Sequence, residues 1–169
     1  MEKKSIFKNP EYWLVKVIFA IMVVLGVLVY SRLIIFHAPV GAFFLHHWMS
    51  WAGAIFISVF TPVYYFLKRR YPKKYQLLVR THIFGNLVSF GLITLHFAHH
   101  LGRPAEAGPE SLTGRVMYIA LSFLILTGFL LRFQLLKKQM KSARYIHTSI
   151  ITTFYIIIIF HVLHGLGYL

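Results

Sequence analysis

Five apolar runs, each about as long as a membrane is thick, constrain this chain more than any other feature. A helix needs about 20 residues to cross a hydrocarbon core of about 30 Å. The runs are continuous rather than alternating, which favours helices over a β-barrel. Hydrophobic residues make up 58% of the 169 positions, and no room remains for a separate domain. We predict an all-α integral membrane protein, one domain over residues 1–169, with spans at approximately 17–36, 48–67, 78–101, 116–133 and 145–166.

Lysine and arginine are distributed unevenly between the loops. The formal net charge of +14 would suit nucleic acid if the basic residues formed one patch. They instead concentrate before the first run and in the loops after the second and the fourth. This positive-inside pattern predicts a cytoplasmic N-terminus and a C-terminus outside. We expect the basic loops to contact anionic lipid headgroups, and we expect no nucleic-acid partner.

The chain contains no cysteine. Disulfides, cysteine-ligated iron–sulfur clusters, thiol catalysis and the cysteine attachment of c-type haem are therefore excluded. The first run follows a basic start, as in a signal peptide, but it is too long for the apolar region of one. We expect it to be a retained helix. Pro62 lies inside the second run and predicts a local kink there.

Two of the runs carry a pair of histidines with the same spacing. His82 and His96 are fourteen residues apart, and so are His147 and His161. Fourteen helical residues make almost four turns and rise about 21 Å, so both side chains of a pair point the same way at two depths. One run separates the two pairs, so their helices run in the same direction. His82 is therefore expected to pair with His147, and His96 with His161.

Four imidazoles at two levels suit two stacked b haems, each held by one histidine from each helix. A histidine inside a membrane span needs a partner and marks a functional site by default. Hydrogen bonds between neutral imidazoles on neighbouring helices would explain one or two such residues, but not four at matched depths. We therefore predict a five-helix bundle that binds two haem b groups and carries electrons.

Alternatives remain for the outer ligands. His164 and His100 could replace His161 and His96, although His164 is rotated roughly 100° from the face that His147 defines. His96 and His161 are preferred because they share one offset from their inner partners.

The anionic propionates of haem would suit arginine. Arg80 and Arg144 stand just before the inner histidines, and Arg103 lies shortly beyond one outer histidine. The same arginines could instead set topology and contact headgroups. Gly85 and Gly91 could admit a flat macrocycle or a close helix–helix contact.

Six further histidines fall at or near the predicted outer surface. They could bind an external metal ion, relay protons at a quinol site, or simply sit at the interface. They are His37, His46, His47, His99, His100 and His164.

The H-x13-H pair on two helices resembles that of di-haem membrane cytochromes b. It is similar to the pair in the cytochrome b/b6 core and in the ferric reductase-like transmembrane domain, whose ligands also fall on the third and fifth spans. The resemblance implies an electron-transfer oxidoreductase subunit with two haem b groups. That domain usually has six spans, and no G-x-G-x-x-G stretch for a dinucleotide occurs here. The expected electron donor is therefore the quinol of a quinone pool or a redox partner subunit, and the chain is not expected to be a complete enzyme.

Two other classes remain open. The H-x-x-H-H stretch ending at His100 matches the histidine box of membrane di-metal oxygenases and desaturases, and His161–His164 is a partial second box. That alternative places the boxes on the outer side and leaves His82 and His147 without a role. A metal-ion carrier is the other alternative, but few intramembrane carboxylates are present to bind a cation.

The charge pattern gives a testable topology. Single cysteines introduced into Lys68–Arg80 and Arg132–Arg144 should react with a membrane-impermeant maleimide only from the cytoplasmic side, and cysteines in Gly102–Gly114 only from outside. The chain has no cysteine of its own, so it supplies its own unlabelled control. Labelling of the Gly102–Gly114 loop from the cytoplasmic side alone would invert the topology.

Overall fold

The computed structural model describes residues 8–36, 38–102, 112–165 and 167–168. Most of these residues belong to helices: α1 Pro10–Tyr30, α2 Leu45–Ile55, α3 Thr61–Arg70, α4 Tyr75–Leu101, α5 Leu112–Arg132 and α6 Met140–Gly165. A π-helical turn, Phe56–Phe60, joins α2 to α3. Short 3₁₀ turns at Pro72–Lys74 and Lys137–Gln139 precede α4 and α6. A small antiparallel hairpin, β1 Pro39–Val40 and β2 Phe43–Phe44, precedes α2.

Within the described ranges, five helical segments are long and apolar enough to cross a membrane. They are Pro10–Tyr30, Leu45–Arg70, Pro72–Leu101, Leu112–Arg132 and Lys137–His164. Many large apolar side chains on them are exposed, including Val24 at 57% and Phe66 at 68%, as expected of surfaces that meet lipid. The predicted helical chain with five membrane-length helices is confirmed. The haem groups and the orientation of the termini stay predictions.

Helix α1 lies closer to the N-terminus than the apolar run at 17–36 indicates. Its first residue is Pro10, whose missing N–H costs nothing at this position, and the side chain of Asn9 accepts a backbone N–H of the first turn. The helix ends at Tyr30, and Arg32 then adopts a φ of 63°, which a continuing helix does not allow. Capping and backbone conformation therefore fix where α1 begins and ends, whereas hydropathy indicates only its most apolar part.

The irregular point of the second span lies just before Pro62. A proline cannot donate to the carbonyl four residues earlier, here that of Ser58, and its ring crowds that carbonyl. Widening of the preceding turn into the π-helical segment Phe56–Phe60 relieves this conflict. The predicted local disturbance is present, and it takes the form of a π-helical turn.

The chain divides into two compact units, Met1–Pro104 and Ala105–Leu169. In the first unit, α4 packs against α1, α2 and α3. In the second unit, α5 packs against α6. Each unit carries one of the two histidine pairs, so the pairing of histidines between α4 and α6 stays a prediction.

Two glycines of α4 are covered by side chains of neighbouring helices. The Phe56 ring lies directly over Gly85, and the Met22 side chain lies over Gly91, where an added Cβ would come within 2.7 Å of Met22 Cε. Both glycines therefore serve close helix–helix packing in the first unit. This arrangement favours the helix-contact interpretation over close approach of a macrocycle.

Gly53 of α2 permits the closest backbone approach to α4. A Cβ at Gly53 would lie 2.7 Å from the carbonyl oxygen of Ser89, whereas a Cβ at Gly26 would lie 3.5 Å from Thr94 Cγ2. Gly53→Ala should therefore lower the thermal unfolding midpoint in detergent, through a loss of about 1–3 kcal/mol. Gly26→Ala is the matched control and should be neutral or stabilising, because alanine favours the helix. Equal midpoints for the two variants would contradict this packing.

Candidate metal centre and the paired histidines

Four histidines converge in the first unit, where α4 ends and α2 begins. They are His46, His47, His96 and His100, and one ligand atom from each lies within 4.8 Å of those of the others. The ring centroids of His46 and His47 are 4.1 Å apart, and those of His96 and His100 are 4.5 Å apart. A tetrahedral zinc site with Zn–N bonds of about 2.0–2.1 Å sets its nitrogens about 3.4 Å apart. Modest side-chain rotation would reach that spacing, so the cluster could hold a metal ion.

The β-hairpin delivers two of these histidines to the cluster. Gly41 has a φ of 63°, as the first central position of a type II′ turn requires. The indole N–H of Trp48 donates to the carbonyl of Val40 at 2.8 Å and ties the hairpin to α2. Because α2 begins directly after β2, His46 and His47 lie in its first turn, although hydropathy had placed them in the preceding loop.

A backbone carbonyl determines which ring nitrogen of His46 carries the proton. Its Nδ1 lies 3.0 Å from the carbonyl oxygen of Phe36. A carbonyl only accepts, so Nδ1 carries the proton and Nε2 keeps the lone pair. The ring is 2% exposed and stacks on His99, with centroids 4.1 Å apart. Metal-binding histidines are commonly oriented in this way by an acceptor at the second nitrogen.

An apolar cluster supports the backbone beneath the histidines. Arg32 also donates from Nε to the carbonyl of Gly102 at 2.8 Å, which joins the end of α1 to the end of α4. Phe36, whose carbonyl orients His46, packs against this cluster, so apolar contacts help to hold the acceptor in place. The buried cluster is Val29, Leu95 and Ala98, and the partly buried side chains of Leu25, Ile34, Phe36 and Met49 pack against it.

In the second unit, His147 is hydrogen-bonded to a threonine of α5. His147 Nδ1 lies 2.8 Å from Thr127 Oγ1. The Thr127 hydroxyl lies 2.8 Å from the carbonyl of Phe123 and 3.1 Å from that of Leu124, and it donates its one proton to this pair. The threonine oxygen must then accept from the imidazole. His147 is therefore protonated on Nδ1 and keeps its lone pair on Nε2.

The same arrangement recurs at the other end of the second unit. His161 Nδ1 lies 3.1 Å from Thr113 Oγ1. Thr113 and Thr127 are themselves fourteen residues apart, so α5 matches the histidine spacing of the antiparallel helix α6. Sequence reasoning missed these threonines, although their spacing was visible. His161 is half-buried and His164 is exposed, which favours His161 over its alternative as the inward-facing residue.

His82 has neighbours of a different kind. Its ring stacks on Tyr64 with centroids 4.5 Å apart, and its Nδ1 lies 3.1 Å from Asn86 Nδ2. The Asn86 amide oxygen is buried and has no hydrogen-bond partner among the described residues. A half-turn of the amide exchanges its nitrogen and oxygen and would place an acceptor at Nδ1. Three of the four spaced histidines thus meet a polar side chain at Nδ1, whereas His96 lies in the histidine cluster.

The arginines predicted to meet propionates have other surroundings. Arg80 Nε donates to Glu11 Oε1 at 2.7 Å, which ties the beginning of α4 to the beginning of α1. Arg144 is exposed. Arg103 and His37 lie outside the described residues. A role for any of these arginines toward haem stays a prediction.

Comparison of the chain with protein-family models, curated proteins and solved structures finds no match. The described part of the chain is thus a helical protein with five helices long and apolar enough to cross a membrane and with histidines able to hold a metal ion.

The hydrogen bond at His147 can be tested by deletion of one hydroxyl. Thr127→Val keeps the shape but removes the hydroxyl that accepts from the half-buried His147 imidazole, a cost of about 1–3 kcal/mol. We expect a lower thermal unfolding midpoint in detergent, with recovery in Thr127→Ser. The control is Thr148→Val, because the exposed Thr148 hydroxyl bonds only to carbonyls of its own helix. If Thr127→Val and Thr148→Val behave alike, the hydrogen bond between Thr127 and His147 does not stabilise the fold.

Proposed function

We propose that this chain is a b-type di-haem cytochrome that carries single electrons across a membrane. The observation that carries the proposal is the fourteen-residue histidine spacing on α6, matched by a threonine spacing on α5. Haem iron takes an imidazole through one nitrogen, and the other nitrogen commonly donates a hydrogen bond. His147 meets this requirement, because Nδ1 donates to Thr127 and Nε2 keeps its lone pair.

The proposed ligands follow the spacing argument. His82 and His147 would hold one haem b, and His96 and His161 the other. When bound, each haem supplies a one-electron couple. In this proposal no residue acts as a general acid or base.

The chain's own side chains would tune these sites. A hydrogen bond from Nδ1–H to a threonine oxygen fixes the plane of the imidazole and makes Nε2 a stronger donor. Apolar helix surfaces around the histidines exclude water and lower the local polarity. Along one helix the two levels lie about 21 Å apart, so two sites bridge much of a hydrocarbon core of about 30 Å.

The proposed partners follow from the charge distribution. Lysines and arginines flank the beginnings of α4 and α6 and the end of α3. Such surfaces suit anionic lipid headgroups or an acidic redox partner. A quinol or a partner subunit is the proposed electron donor, and the basic ends are proposed to face the cytoplasm, following the positive-inside rule.

A membrane di-metal oxygenase is the second candidate, because the H-x-x-H-H stretch ending at His100 does meet His46 and His47. Two observations weigh against it. The cluster offers four ligand atoms, which is enough for one ion. The oxygenase candidate also gives no role to His147 and His161, each of which is hydrogen-bonded to a threonine. A visible spectrum separates the candidates, because only b haems give sharp α and Soret bands on reduction.

The haem proposal predicts selective losses. Purified protein should contain two non-covalent b haems per chain by the pyridine-haemochrome assay. His147→Ala or His82→Ala should remove one haem and spare the other, and His161→Ala or His96→Ala should remove the second. His164→Ala is the matched control and should keep both.

Two results would contradict these assignments. Haem content of one or none in the unmutated chain would refute the di-haem proposal. Loss of a haem in His164→Ala with retention in His161→Ala would move the outer ligand by one helical turn.

A further inference from the structure

We propose that His46, His47 and His100 form a binding site for one divalent transition-metal ion, distinct from the proposed haem ligands. The three residues lie where α2 begins and α4 ends, and their ligand atoms lie within 4.8 Å of one another. The separation from His96 rests on the proposed function, which assigns that residue to a haem.

The donor set selects the class of metal. All three ligands are imidazoles, which suit zinc, copper and nickel, whereas magnesium and calcium require oxygen ligands. Glu11 is the only carboxylate among the described residues, and it lies beside Arg80 at the other end of α4. No carboxylate among the described residues therefore lies at this cluster to bind a hard cation.

The site is organised before a metal arrives. His46 is protonated on Nδ1 because that nitrogen lies 3.0 Å from the carbonyl of Phe36, so Nε2 is its ligand atom. His99 stacks on His46 with ring centroids 4.1 Å apart and restricts rotation of the ring. Phe36 packs against the buried apolar cluster, which restricts movement of the acceptor. This is the support that metal-binding histidines require.

Three histidines leave one position of a tetrahedral ion for water or another small ligand. His47 and His100 are partly exposed, whereas His46 is buried at 2% exposure. The ion would therefore be bound from beneath by His46 and approached from the side of His47 and His100. The ring centroids of His46 lie 4.1 Å from His47 and 5.7 Å from His100, so closure around an ion needs only side-chain movement.

Zinc chloride is the probe for this site. Full-length protein purified in detergent and freed of metal with a chelator is dialysed against Zn²⁺, and bound zinc is counted by elemental analysis. We expect one zinc per chain. His47→Gln and His100→Gln should each weaken binding more than about tenfold, the lower end of the loss caused by removal of even an outer-shell partner. His164→Gln should bind zinc like the unmutated chain.

Haem content and elution volume are measured on the same samples, since they report folding independently of zinc. The test avoids substitution of His46, because its burial could make a variant unfold. Saturable zinc lost only in the His47 and His100 variants, with haem retained, supports the site. Absence of saturable zinc, or an equal loss in His164→Gln, overturns it. Zinc binding by a chain that lacks haem would refute the cytochrome proposal alone.

Discussion

The hydrogen bond between an imidazole nitrogen and an acceptor supplied by the protein organises the sites of His147 and His46. In a membrane span no water is available to satisfy such a group. Thr127 meets this need for His147, and the carbonyl of Phe36 meets it for His46. Each acceptor also decides which nitrogen keeps a lone pair. One hydrogen bond therefore both satisfies the imidazole N–H and leaves the other ring nitrogen free to bind a metal.

The first unit separates two kinds of chemistry along α4. At the beginning of the helix, Arg80 pairs with Glu11 amid lysines and arginines. At its other end, imidazoles gather over a buried apolar cluster. Close packing through Gly53 and Gly85 holds α2 and the π-helical turn against α4, which keeps the first turn of α2 near the end of α4. The histidine cluster thus depends on glycines that lie outside it, further along α2 and earlier in α4.

His96 is both a proposed haem ligand and a member of the histidine cluster. Its spacing from His82 places it among the proposed haem ligands, and its position places it beside His46, His47 and His100. A haem at His96 would leave the other three histidines as a compact set of nitrogen donors. Haem content is the readout of the first proposal, and bound zinc is the readout of the second.

The sequence by itself determined the helical class, the five membrane-length segments and the fourteen-residue histidine spacing, because hydropathy and helical periodicity are local properties. It missed the start of α1 at Pro10, because the Asn9 cap extends the helix beyond the most apolar residues. Only the tertiary structure brought His46 and His47 to His96 and His100, since that contact depends on a hairpin and on glycine packing between helices. It alone also placed Thr127 against His147, because an acceptor twenty residues away is fixed by how α5 packs on α6.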